Sequence, residues 1–236
     1  MSAVRALVWK EWRQAVDTPL GYVIAVAFLL AAGFFFGNRL FLVGQADMRD
    51  FFAMLPVLLM FFVPAVCMRA LADERKGGTF ELVATLPVST ARIVAGKYLA
   101  LMLQWSLLLA LTLFYPATLA LLGDPDAGQI AASYLAALLL TGAYVAVCLF
   151  ASALTANGVV AYVLGFSMLL AVFLLAQAAP LLSPAAQNWL ELLNPLARYQ
   201  GMLRGVVHLD DAAWLLAVAV AFLAATHLQL ERRRWQ

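Results

Sequence analysis

The chain has 236 residues, of which 65% are apolar and only 12% charged, with a formal net charge of +2. So little polar surface cannot keep a soluble globule wetted, which excludes a water-soluble enzyme and leaves no reason to expect a nucleic-acid partner. The apolar residues form long continuous runs rather than alternating ones, so they predict membrane-spanning helices and not the strands of an outer-membrane barrel.

In chain order, Met1 to Asp17 come first. Val4, Leu7, Val8, Trp12, Ala15 and Val16 share one helical face, with Lys10, Arg13 and Asp17 opposite, as in an interfacial helix. Glu11 falls on the apolar face and disturbs the pattern, and a basic leader that only orients the next segment would carry the same charges. This lead is too long and too charged for a cleaved signal peptide, so the first apolar run is expected to be retained. Six spans are predicted, over about Leu20 to Phe36, Phe51 to Leu71, Ile93 to Leu122, Ile130 to Leu154, Val159 to Leu182 and Ala212 to Leu230. Gly37-Asn38, Gly123-Asp124-Pro125-Asp126 and Ala156-Asn157-Gly158 read as turns between them.

An even number of spans puts both termini on one side. Arg5, Lys10, Arg13, Arg69, Arg75, Lys76, Arg92, Lys97 and Arg232 to Arg234 gather there, against Arg39, Arg49, Arg198 and Arg204 opposite. Both termini are therefore predicted to be cytoplasmic.

The second connection is a compact charged insert, Pro64 to Lys97. If Thr79 to Leu86 is helical, Leu82, Val83 and Leu86 share a face opposite Glu81 and Thr85, with Gly77-Gly78 before it and Pro87 ending it. Glu81 then sits in the first turn, where the helix dipole favours a carboxylate. Ser89 is placed to cap the helix that carries Arg92 and Lys97. Such a surface helix suits transmission of a push from a partner to two spans at once, although a loop whose charges merely enforce topology would look the same. The segment 183–211 is too polar and too broken to span.

Several chemistries lack their residues. Gly96-Lys97 is followed by Tyr98 and has no upstream glycine, so no phosphate-binding loop is present and ATP hydrolysis must belong to another polypeptide. His208 and His227 are isolated, and Cys67 and Cys148 lack CxxC spacing, so no metal site is expected. No Asp, Glu, Lys, Arg or His lies in Tyr98 to Leu122 or Ile130 to Leu182, which argues against an ion-coupled carrier. Ser106, Ser133, Ser152 and Ser167 read as hydroxyls bonded to their own helix rather than as nucleophiles. Small residues four apart, Gly21 and Ala25, Gly142 and Ala146, and Ala151 and Thr155, offer close helix approach, within the chain or between subunits.

Pro64-Ala65, Met68-Arg69, Glu74-Arg75, Gly78-Thr79, Glu81-Leu82, Leu86-Pro87-Val88-Ser89 and Gly96-Lys97 together resemble the signature of ABC transporter permeases of the second exporter type. The resemblance extends through the leader, with Lys10-Glu11, Pro19 and Tyr22, the phrase Leu149 to Gly165 and the Arg232 to Trp235 tail. It is strongest to the gliding-motility-associated branch and to the related copper-enzyme-maturation permeases.

The resemblance implies an all-α, polytopic subunit of six transmembrane helices in a single domain over 1–236. It implies an amphipathic elbow at 1–18, a cytoplasmic coupling segment at 72–92 and short outer-side helices within 183–211. Glu74, Arg75, Gly78, Thr79, Phe80, Glu81 and Leu82 would meet a cytoplasmic ATP-binding-cassette subunit, which binds ATP and Mg while this chain carries no cofactor. Trp189, Pro195, Arg198, Tyr199 and Arg204 would cap or dip into the outer leaflet. A second permease subunit, identical or homologous, and a bacterial inner membrane complete the expectation. The alternative is a non-transporting scaffold that relays ATPase work to envelope partners.

Overall fold

The computed structural model describes residues 8–13, 18–43, 48–73, 89–123, 125–178 and 194–234. Among the described residues the backbone is helical apart from short connections, and no strand occurs. After a helical stretch at 8–13, the elements are α1 (Pro19–Val43), α2 (Arg49–Cys67), α3 (Thr90–Leu111), α4 (Phe114–Leu122), α5 (Ala127–Leu154), α6 (Gly158–Ala178), α7 (Pro195–Met202) and α8 (Leu209–Arg234). Six segments among the described residues are long and apolar enough to cross a membrane: α1, α2, α3 with α4, α5, α6 and α8. The protein is an all-α, polytopic membrane protein.

Two expectations need correction. Gly37-Asn38 is no turn, because α1 runs on to Val43. An interior glycine costs a helix only about 1 kcal/mol relative to alanine, too little to end one without a proline or a cap. The third span, expected to be continuous, breaks at Thr112-Leu113 between α3 and α4. Pro116 explains this: it has no N–H, and its ring crowds the carbonyl of Thr112 four residues earlier. The Thr112 carbonyl accepts instead from Tyr115 N at 2.9 Å. The Thr112 hydroxyl donates to Leu109 O at 2.6 Å and lies 3.0 Å from the Tyr134 hydroxyl on α5.

The core is built around α5, which packs against α2, α3, α6, α7 and α8, most extensively against α8. In lipid every span is apolar, so hydrophobicity does not select the central one; side-chain size does, because small residues let backbones approach closely. Ala136, Ala137, Gly142, Ala143, Ala146, Ala151 and Ala153 are all buried in α5. The small-residue pairing of Gly142 with Ala146 thus serves packing inside the chain. A Cβ on Gly142 would stand 2.9 Å from the Tyr98 hydroxyl. On α6, Ala161, Gly165 and Leu169 form one buried stripe at four-residue spacing, and a Cβ on Gly165 would meet Cys148 Sγ at 3.3 Å. At the periphery, α1 reaches the core through Phe28 and Ala32, both fully buried, and the Phe28 ring meets Trp105 at 5.3 Å and Phe62 at 5.6 Å, both edge-on. Its Tyr22, Val23, Val26, Leu30 and Phe34 are exposed.

Close packing at Gly142 makes a testable contrast with Gly37, where an added Cβ meets nothing within 4 Å. Gly142→Val is expected to destabilise the purified protein by about 1–3 kcal/mol through overpacking, while Gly37→Ala is neutral or slightly stabilising. Detergent-solubilised thermal unfolding of the two variants reads the difference directly.

Candidate functional site

Glu74, Arg75, Gly78, Thr79, Phe80, Glu81 and Leu82 lie outside the described residues, as does Trp189. What the structure does describe is the frame on either side of 74–88.

On the entry side, α2 ends at Cys67 and the chain turns through 68–71. Such a turn leaves backbone N–H groups without helical acceptors. Ser152, fully buried near the end of α5, supplies the missing partner: its Oγ accepts from Leu71 N at 3.1 Å and Ala72 N at 3.2 Å, and donates to Met68 O at 3.3 Å. Of the serines expected to bond to their own helix, Ser106 does so, to Met102 O at 2.7 Å, whereas Ser152 does not. A hydroxyl facing a neighbouring helix end takes that end's unsatisfied groups instead. The turn between α5 and α6 abuts the same place, because a Cβ on Gly158 would stand 3.6 Å from Met68 O and 3.8 Å from an Asp73 carboxylate oxygen.

On the exit side, Ser89 occupies the N-cap position of α3 with extended backbone, but its side chain makes no capping bond. The anchor lies two turns further on. Lys97 is 2% exposed, and its Nζ donates to Glu11 Oε1 at 3.1 Å. The carboxylate that disturbed the amphipathic pattern of the leader therefore faces the bundle because a buried ammonium waits there. Trp9 and Lys10 on the other side of the same stretch are exposed, and the Arg13 guanidinium sits 5.6 Å above the Trp9 ring. The described residues on either side of 74–88 are thus held to the bundle at two points, by Ser152 and by the Glu11–Lys97 pair.

At the opposite end lies α7. Asn194 caps it through Leu196 N at 2.9 Å, and Pro195 occupies its first turn, where a missing N–H costs nothing. Arg198 pairs with Asp211 of α8 at 2.9 Å, and Gly201 gives the room, since a Cβ there would come within 3.4 Å of Asp211 Oδ2. Leu203 O accepts from Gln129 Nε2 of α5 at 3.0 Å, and Gln129 Oε1 accepts from Arg49 of α2 at 3.4 Å. Gly205, at φ +89°, makes the left-handed reversal into α8. Arg204 is exposed beyond the helix end.

Tyr199 is fully buried, and its hydroxyl donates to Phe52 O of α2 at 2.7 Å. Burial pushes the Tyr199 phenol well above its ordinary value, so it stays protonated and a donor. Pro195, Arg198 and Tyr199 are thus brought together in one short helix braced on α2, α5 and α8. Glu11, Ser152 and Gln129 are the structural anchors that sequence reasoning passed over. Only Glu11 left a signal, as a charge on an otherwise apolar face.

In comparisons with known proteins, the family model described as ABC-2 family transporter protein matches residues 43–228, most of the chain. No curated protein matches.

Exchanging the charges of the buried pair tests the exit-side anchor. Glu11→Lys alone is expected to cost on the order of 3 kcal/mol by placing two cations together in a buried site, and adding Lys97→Glu to recover most of the loss. Equal melting of the single and double exchanges would show that the pair does not anchor the leader.

Proposed function

Because this chain belongs to the ABC-2 transporter family, we propose that it is the transmembrane permease subunit of an ATP-driven transporter, with segment 72–92 as the handle by which a separate ATP-binding-cassette subunit moves the bundle. The observation that carries this reading is the frame around 74–88: the described residues before and after the charged insert are secured to the bundle by Ser152 and by Lys97 with Glu11. A displacement applied between fixed points is passed on to α2 and α3 rather than dissipated in a loose loop.

In this reading Glu74, Arg75, Gly78, Thr79, Phe80, Glu81 and Leu82 contact the ATPase, which binds ATP and Mg. A second permease copy or homologue completes the assembly in a bacterial inner membrane, with both termini cytoplasmic and lipid around the exposed faces. The motif set favours the gliding-motility-associated or copper-enzyme-maturation branch. This chain supplies the pathway and its partner the hydrolysis.

The test is a purified complex of this chain with its candidate ATPase in lipid. Gly78→Pro and Glu81→Ala are expected to lower permease-stimulated ATP turnover at least tenfold while leaving the helical content of the chain unchanged. Turnover and complex formation equal to the unsubstituted protein would refute the handle.

A further inference from the structure

An α-helix carbonyl normally accepts from the N–H four residues on. Phe52 O has Pro56 at that position, and proline has no N–H to give. In a span surrounded by apolar groups, a carbonyl left without a donor is expensive, so another donor must come from elsewhere in the fold. That donor is Tyr199, distant in sequence, held in α7 by the Arg198–Asp211 pair to α8 and, through Leu203 O, by Gln129 to α5.

A second proline, Pro64, removes another intrahelical bond nearer the insert, so α2 runs as one helix that lacks two of its own N–H donors. Its two ends are occupied differently. The end past Cys67 opens into 74–88 under the Ser152 clamp, while the end near Phe52 is bonded to α7.

We infer that Tyr199 is a positioning residue: its hydroxyl locks α7 to the proline-interrupted end of α2, so that a displacement of α2 at the insert end is delivered to α7 at the opposite end. The source of that displacement rests on the permease reading above; the bond and its mechanical consequence do not. With the hydroxyl removed, the direct bond between α2 and α7 is lost, and only the indirect bridge from Arg49 through Gln129 to Leu203 O remains.

Tyr199→Phe keeps the buried ring and deletes only the donor. Two measurements on the full-length chain decide the matter. In thermal unfolding of the chain alone, Tyr199→Phe is expected to lower the melting temperature by several degrees. In a Pro56→Ala background, where residue 56 can donate to Phe52 O, the drop is expected to fall to half or less. Equal drops in the two backgrounds would overturn the lock.

In the complex with the ATPase, amide hydrogen exchange is followed with and without a non-hydrolysable ATP analogue. The nucleotide-dependent change at residues 68–73 is expected to survive in Tyr199→Phe, while that at residues 195–205 shrinks at least fivefold. A variant whose response at 195–205 matches the unsubstituted protein would overturn the transmission role even if the bond is real. An unsubstituted complex with no nucleotide response at either end would sink the permease reading and the transmission together, while the melting comparison still decides the bond.

Discussion

How closely helices can approach α5 governs this bundle. In a medium as apolar as the side chains themselves, burying more hydrocarbon gains little, and helix association depends on van der Waals contact and on polar groups finding partners. A helix of alanine, glycine, serine and threonine offers the shortest approach distances, and α5 buries many such residues among the neighbours it gathers. Gly142 admits Tyr98, Cys148 receives the Gly165 stripe of α6, and Ser152 reaches the end of α2. Larger residues at these positions would push the neighbours outward and loosen both ends of the bundle.

Lipid also requires that backbone groups freed by a break be satisfied inside the protein. Three examples show how this is met. Pro56 frees Phe52 O, which Tyr199 takes. Pro116 breaks the third span, and Thr112 and Tyr134 hold the break. The turn after α2 leaves Leu71 N, Ala72 N and Met68 O without helical partners, and Ser152 accepts from the first two and donates to the third. In the first and third cases a hydroxyl on another part of the fold meets a backbone group, and in the second Tyr134 of α5 braces the Thr112 hydroxyl beside the break. Such repairs link elements far apart in the chain, so the defects are also the places where elements are coupled. Tyr115 adds a milder case: its hydroxyl reaches Leu29 O of α1 at 3.0 Å, past Gly33, where a Cβ would stand 3.2 Å away.

Each end also holds an ion pair. Lys97 and Glu11 form a buried pair beside the insert, and Arg198 and Asp211 form a partly buried one at α7. Buried pairs of this kind add little net stability compared with apolar replacements, but they penalise wrong placement severely. Their value here is register: one pair sets where the leader sits against α3, the other how α7 meets α8.

Apolar run length alone determined the number of spans and their limits to within a turn or so at most ends, because a bilayer demands about 20 apolar residues per crossing. Residue chemistry likewise determined that the polar stretch near Tyr199 stays out of the set of spans. The sequence could not say that α5 is central, since composition records how greasy a span is and not which neighbours it touches. It marked Glu11 as an anomaly without its partner Lys97, 86 residues away. Pro56 lies inside a predicted span, but nothing in the neighbouring sequence names the donor for the carbonyl it frees, and only the tertiary structure brings Tyr199 to it. Local periodicity is written in neighbouring residues, whereas a bond between distant segments depends on how the whole bundle closes.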